Sequence, residues 1–305
     1  MSTPITIRVA LDWTPNTLHT GLYVAASKGF YSSANLSVHL LPPDPSYTTT
    51  PAKLVQTNQA DLALCPSESC IAYAESHSPL KLQAIYSILA SDASAIASTT
   101  LSRPKQLGEG KVYGSYNARY EDAVVGAMVS ADGGSPDGMK LQRATGKLDL
   151  FSAMREGRGE VDATWIFLPW EGVEADLAGE KLHCFKMQDY GVPYGYSPVI
   201  ARNAADAGVA EEALRAFVRE TRRGYEYAVE HVEEAVEILG GYCEPQRSRE
   251  FLVRSQRCVN WYYGSGEELG RMREEKWRGW VEWLRERELV KAEVDVDSLF
   301  TNEFF

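Results

Sequence analysis

The chain has 305 residues, 44% of them hydrophobic and 24% charged, which suits two lobes or one large domain with a sizeable core. Its net charge of −11 argues against nucleic acid or an anionic membrane as the main partner. No window approaches the ~18 apolar residues that membrane insertion needs, and the opening MSTPITIRVALDW has no basic n-region and no apolar h-region, so no secretory signal is expected.

The first third alternates strand and helix. Ile5–Leu11 reads as a strand, Leu22–Ser27 as a helix and Leu36–Leu41 as a strand, with PPDPSYTTTP as a loop. Ala52–Gln59 is predicted helical, Ala60–Leu64 a buried strand, Ser67–Glu75 a helix with Ser67 as N-cap, and Leu80–Leu89 a longer strand. Such βα alternation predicts a largely parallel sheet covered by helices.

A second unit is expected from about Ser98. Lys111–Tyr113 reads as a short strand, Glu121–Ala131 as a helix, and GGSPDG as a turn. Then follow a helix at Leu150–Arg155, strands at Val161–Trp165 and Lys181–Lys186, a helix at Pro169–Ala178, and a return strand at Pro198–Ala201. AKLVQTNQADLAL and LFSAMREGRGEVDATW share one pattern: helix, polar turn, a small apolar residue with Asp, short strand. That fits a structural repeat, or chance. The expected architecture is α/β, with residues 1–97 and 198–305 in lobe 1, residues 98–197 in lobe 2, and a ligand cleft between them. From Glu211 onward the chain reads as helical, broken at Gly240-Gly241. Leu269, Met272, Trp277, Trp280, Val281 and Leu284 then recur at near-helical spacing, which marks a packing face before a ligand box.

Four strand ends carry residues with chemistry, and in open α/β sheets ligands bind at that edge. The first holds Asp12 and Trp13, with Asn16, His19 and Thr20 in the same turn. A flat nitrogen-rich ring wants an aromatic face and an acceptor for its amine protons; the alternatives are a core tryptophan, a turn aspartate and a structural histidine. The second is Cys65-Pro66-Ser67-Glu68-Ser69, where Ser67, Glu68 and Ser69 surround free helix-terminal N–H groups, or Ser67 simply caps the helix. The third, Gly114-Ser115-Tyr116-Asn117-Ala118-Arg119-Tyr120, fits a cradle for phosphate or carboxylate, with Arg119 as charge or as a surface residue. It lacks both the P-loop and the Rossmann glycine spacing. The fourth runs from Trp165 through Trp170 to Glu171 and would mirror Asp12 and Trp13, unless Glu171 only complements the helix dipole. Tyr190 and Tyr194, in DYGVPYGY, line the same cleft or form its hinge.

There is no nucleophile elbow and no metal-spaced cluster. The five cysteines include no CxxC pair, which suits a reduced compartment over a disulfide framework. These residues favour binding ahead of catalysis, with no catalytic residue, no metal and no cofactor expected.

Five segments carry a family resemblance: LDWTPNTLHTGLYVAASKGFY, ADLALCPSES, GSYNARYED, DYGVPYGYSPVI and the terminal LFTNEFF. They resemble the NMT1/THI5-like family, whose members bind or make the pyrimidine half of thiamin. Similarity is greatest to proteins that bind formylaminopyrimidine or hydroxymethylpyrimidine. The resemblance implies a two-lobed type II periplasmic-binding-protein fold. It implies that Trp13 stacks on the ring and that Asp12 and Glu171 take ring nitrogens or the amine. Ser67, Ser69, Trp170 and the Tyr190–Tyr194 region would complete the pocket. A second branch of the family, a hydroxymethylpyrimidine phosphate synthase, uses pyridoxal phosphate, a consumed histidine and iron near a cysteine cluster. Here Cys65 and Ser69 stand where that enzyme's lysine and histidine would be, and YGVPYGYSP replaces its cysteine cluster. Pyridoxal phosphate or iron is therefore expected only under that alternative. The expected partner is an aminopyrimidine-like small molecule. With no signal segment visible, a cytoplasmic protein is expected, with a second copy as its partner in a homodimer; an exported, extracytoplasmic form would instead meet a transporter.

Overall fold

The structure is a computed structural model and describes residues 3–44, 47–76, 78–144, 150–157, 161–206 and 208–305. Residues 45–46 of the predicted loop and 158–160 of the second repeat's turn lie outside these. The chain divides into two compact units, Met1–Asp92 with Gly195–Phe305, and Ala93–Tyr194.

Unit 1 opens with β1 (Ile5–Ala10), α1 (Thr20–Ser27), α2 (Phe30–Ser33), β2 (Leu36–Leu41), α3 (Pro51–Gln56), β3 (Leu62–Cys65), α4 (Ser67–Glu75) and β4 (Leu82–Ser87). Unit 2 follows with β5 (Ser94–Ser98), β6 (Val112–Ser115), α5 (Glu121–Ala131), β7 (Lys140–Arg143), α6 (Leu150–Arg155), β8 (Ala163–Phe167), α7 (Val173–Leu177) and β9 (His183–Phe185). The chain then returns to unit 1 as β10 (Val199–Asn203) and four helices, α8 (Glu211–Glu230), α9 (Val232–Gly240), α10 (Arg249–Val259) and α11 (Glu274–Glu286).

The two sheets have matching orders, β2-β1-β3-β10-β4 and β7-β6-β8-β5-β9. Each is parallel except where the strand entered after a crossing, β10 or β5, runs antiparallel to both its neighbours. The repeated sequence pattern falls on equivalent strands, β3 and β8, and its aspartates do the same work in both. Asp61 accepts the N–H of Arg8 at 2.7 Å, and Asp162 accepts that of Val112 at 2.8 Å. Each aspartate also gives its own N–H to the same residue's carbonyl, so a short strand is pinned in register at its first residue. Arg8 adds a guanidinium bond to Asp61, which holds that carboxyl below the usual range against the opposing effect of burial.

Two expectations change here. Because β5 pairs with β8 and β9, the first crossing lies at Asp92/Ala93, ahead of the expected 97/98, and the second lies at Tyr194/Gly195. β7, KLQR, is exposed at all four positions. An edge strand of that kind has no apolar alternation to announce it.

The tryptophan stripe of α11 is a packing face, as its spacing suggests: Trp277, Trp280, Val281 and Leu284 are buried, with Leu269 and Met272. α1 lies very close to α8 because Gly21 and Gly224 face each other's helices. A Cβ at Gly21 would run into the Tyr225 ring, and one at Gly224 into the Gly21 carbonyl. The C-terminal tail covers the outer edge of β4: Phe300 bridges Ala84, whose N–H and C=O bond Leu299 and Thr301 at 2.8 Å each. Among the described residues, no helix is long and apolar enough to cross a membrane.

Candidate functional site

In unit 1, β1, β3 and β4 run in one direction and β10 in the other. The segments after β1, β3 and β4 and the segment before β10 therefore emerge at a single sheet edge. That edge carries Asp12 to His19, Pro66 to Ser69, Ala90 to Asp92 and Gly195 to Pro198.

After β1 the chain turns into a 3-10 turn, Thr17–His19, capped by Asn16. The Asn16 side chain accepts the Leu18 N–H at 2.8 Å and donates to the Thr14 carbonyl at 3.1 Å. His19 Nδ1 accepts the Asn16 N–H at 3.2 Å, and Nε2 lies 2.9 Å from Asp12 Oδ1. The turn is braced from behind. Thr17 Oγ1 meets Ser255 Oγ at 2.7 Å, Thr20 donates to Gln256 at 2.6 Å, Tyr225 donates to the Leu18 carbonyl at 2.6 Å, and Tyr263 donates to the Thr17 carbonyl. Of this whole segment, Asp12, Trp13 and Thr14 keep partial exposure. Asp12 Oδ2 has no hydrogen bond among the described residues.

Asn16 and His19 are thus corrected from ligand contacts to scaffold, since both are buried with their polar atoms engaged. Ser67 and Glu68 change likewise. Both are buried, Ser67 Oγ donates to Glu68 at 3.2 Å, and the Ser67 N–H bonds the Tyr196 carbonyl at 2.8 Å. The α4 N-cap is Pro66, not Ser67. Gly195 makes this closure feasible, because a Cβ there would collide with Ser67 Oγ and Trp280. Ser69 stays half-buried. Cys65 is buried against Cys70, and that contact, desolvation and the nearby Asp12 charge push its thiol well above the ordinary range, which makes it a poor nucleophile.

Three residues at this edge escaped the sequence reading. Tyr47 lies 4.7 Å from Trp13, centroid to centroid, with the rings tilted by 38°; it sits in a loop whose turn residues hid it. Lys276 donates to the Ala90 carbonyl at 3.1 Å and lies 4.0 Å from the Tyr196 ring centroid. Burial lowers its pKa to about 8, with Asp92 opposing. Trp261, 87% exposed, precedes Tyr262, whose carbonyl accepts the Ala90 N–H at 2.8 Å. Spacing gave no sign of the last two, because long-range packing places them.

Unit 2 has its own edge, after β6 and β8, which are parallel. The expected anion cradle there is already filled. Glu121 accepts the N–H groups of Tyr116 at 3.0 Å and Ala118 at 2.9 Å, and the Tyr113 hydroxyl at 2.7 Å. Desolvation raises the Glu121 pKa against these bonds. Ser115 is buried and donates to Asp122 at 2.6 Å; the Gly114 carbonyl accepts from Thr164 at 2.8 Å. Arg119 is exposed and lies over Tyr120. The cradle of Gly114, Ser115, Tyr116 and Arg119 is therefore corrected to a self-capped loop.

Trp165 and Tyr194 do come together, with centroids 5.2 Å apart and the rings edge to face. After β8 comes one π-type turn, Leu168–Gly172, in which Glu171 accepts the Phe167 N–H at 2.9 Å. Trp170 and Glu171 remain half-exposed. By strand order this segment corresponds to the one after β3, not to Asp12-Trp13, whose counterpart is Tyr116-Asn117. Tyr190 belongs elsewhere. Burial raises its hydroxyl pKa, with Asp132 and Asp189 adding to this and Arg103 opposing. That puts it near the C-terminal end of α5, an 11-residue helix about 16 Å long, away from Glu121 at the start.

The description "NMT1/THI5 like" fits a family model that matches residues 16–235. The formylaminopyrimidine-binding protein of Halalkalibacterium halodurans is 28% identical over 238 residues, which cover 77% of this chain and 69% of that protein. The ligand-binding component of an ABC-type import system from Staphylococcus aureus, solved with zinc bound, aligns with a TM-score of 0.73 at 13% identity, over 98% of this chain and 97% of the other. The periplasmic nitrate-binding protein NrtA of Synechocystis PCC 6803 gives 0.71 at 13% identity, over 99% and 87%. The fold expected from the sequence, two-lobed and of the periplasmic-binding-protein type, is the fold found.

Proposed function

Because this chain belongs to the NMT1/THI5-like family, we propose that it binds a thiamin-precursor pyrimidine, or a similar flat heterocycle, and serves thiamin biosynthesis or salvage by binding. One observation carries the reading: a half-exposed tryptophan, Trp13, stands beside a carboxylate, Asp12, with one oxygen unengaged, at the strand edge of a binding-protein fold. The likeness to the formylaminopyrimidine-binding protein of Halalkalibacterium supports the ligand class. Trp13 offers a face for the ring, and Asp12 an acceptor for its amine. Ser69 is the further contact proposed on unit 1; Trp165, Trp170, Glu171 and Tyr194 are a candidate set at the edge of unit 2.

The strand end after β3 does not support the synthase alternative. A Schiff base needs an amine, and the strand end after β3 presents a buried thiol, Cys65, and Ser69 instead. Among the described residues no group of His, Cys, Asp and Glu is placed to hold a metal ion. We derive no step through pyridoxal phosphate or iron.

Isothermal titration of the protein with formylaminopyrimidine and hydroxymethylpyrimidine tests the proposal. Saturable 1:1 binding is expected, weakened about 10- to 100-fold by Trp13→Ala, since base–aromatic stacking contributes about 1–3 kcal/mol. Equal affinity of a folded Trp13→Ala protein removes the stacking claim; no binding of either pyrimidine removes the function.

A further inference from the structure

We infer that His19 is a positioning residue that fixes Asp12 as a one-oxygen, acceptor-only contact, so that the site selects a heterocycle with an exocyclic amine over its oxo isostere. The selection rests on the binding reading above; the role of His19 is read from the apo geometry.

The side chain of His19 is 0% exposed, so it cannot touch a ligand in this structure. Its two ring nitrogens are told apart by their partners. Nδ1 faces the Asn16 N–H at 3.2 Å and must accept. The ring proton is therefore on Nε2, 2.9 Å from Asp12 Oδ1, and is donated to it. Nothing in this arrangement is free to turn. Asn16 is held by Leu18 and Thr14, and the 3-10 turn carrying His19 is held by Ser255, Gln256, Tyr225 and Tyr263.

Two consequences follow for Asp12. Its Oδ1 is occupied, so only Oδ2 is left for a ligand, on a side chain that is 23% exposed. Its partner also donates through Nε2–H, so Oδ2 is left as an acceptor. A fixed anionic oxygen welcomes an N–H and opposes a carbonyl. A 4-aminopyrimidine meets it donor to acceptor. The 4-oxo isostere sets acceptor against acceptor, and Asp12 cannot swing toward a neighbouring ring N–H while His19 holds Oδ1. Sites built around a buried hydrogen bond discriminate far more strongly than apolar pockets do.

The test pairs calorimetry with NMR. The ligands are 4-amino-5-hydroxymethyl-2-methylpyrimidine and its 4-oxo counterpart, titrated into the parent, His19→Leu, His19→Gln and Asp12→Asn. The parent is expected to prefer the amine by about 100-fold or more. His19→Leu lowers that preference below about 10-fold, because one hydrogen bond to a charged group accounts for about that much. His19→Gln, whose amide N–H can replace Nε2–H, restores it to within about threefold of the parent. Asp12→Asn abolishes it. A folded His19→Leu protein with unchanged preference overturns the inference, as does His19→Gln behaving like His19→Leu. In the ligand-free protein, ¹⁵N spectra of the imidazole should show a bare Nδ1 and a protonated Nε2; the opposite tautomer overturns the positioning role whatever binds, and even if His19→Leu fails to fold. Failure of both pyrimidines to bind the parent overturns the binding reading and the amine selection together, and is told apart from failure of the positioning role by the spectra.

Discussion

The turn after β1 and the turn after β6 hold equivalent places in their sheets, and each contains a carboxylate. They use it in opposite ways. In unit 2 Glu121 folds inward and closes the N–H groups of its own loop. In unit 1 Asp12 is gripped from one side by His19 and keeps its other oxygen. The difference lies in where the second partner comes from. Glu121 starts a helix and reaches back to amides three and five residues earlier, a local closure. Asp12 precedes the turn, and its partner is an imidazole placed by four distant side chains. A loop that satisfies itself locally has little left for a ligand; a loop braced from outside can leave one group exposed.

The most forceful way to break this comparison is Glu121→Ala. It should cost unit 2 about 2–3 kcal/mol, since two part-buried N–H groups and the buried Tyr113 hydroxyl lose their acceptor. Urea denaturation should show this loss, with pyrimidine contacts on unit 1 intact. A variant as stable as the parent would mean the loop is not self-capped and would reopen the anion cradle.

Lys276→Met sharpens the contrast within unit 1. Burial depresses the pKa of this lysine to about 8, so the charged form is disfavoured in the folded state. Below that value both folded and unfolded chains hold the proton and the destabilisation is fully present. It is relieved as pH rises from about 8 toward the ordinary lysine value, because only the unfolded chain then keeps the proton. Replacing the charge should therefore stabilise the protein at pH 7, by about 1 kcal/mol after loss of the Ala90 bond and the Tyr196 contact. The gain should shrink toward pH 10. Thermal melts of both proteins across that range decide it; a gain that grows with pH would be the wrong sign.

Tyr47→Ala is the mildest. Its ring packs on Trp13, and aromatic pairs contribute about 0.5–1.5 kcal/mol. Pyrimidine affinity should fall about three- to tenfold with a near-constant melting temperature. An unchanged affinity would show that Trp13 is held without it.

Much of the fold could be read from the residues because β1, β3 and β4 are apolar runs bounded by turn signals. Asp61 and Asp162 could be matched because their neighbours repeat too. β7 escaped because its four residues all face solvent. At the candidate site, residue type led to Asp12 and Trp13, which keep partial exposure at a strand end. It failed at His19, Ser67 and Glu68, because polar residues near a strand end can turn either way and only packing decides. Tyr47 and Lys276 join the edge from 34 and more residues away along the chain, a distance over which periodicity carries no information.

The reversed strand in each sheet also sets an order of assembly. Residues 93–194 are one uninterrupted stretch, so unit 2 has every strand it needs as soon as that stretch leaves the ribosome. Unit 1 does not. Its β3 and β4 flank a slot that only β10 fills, and β10 is made after all of unit 2. At about 5–20 residues per second that delay is on the order of ten seconds. The half-built sheet, with Asp12 and Trp13 at its edge, must wait through it before the helices that brace His19 are even synthesised.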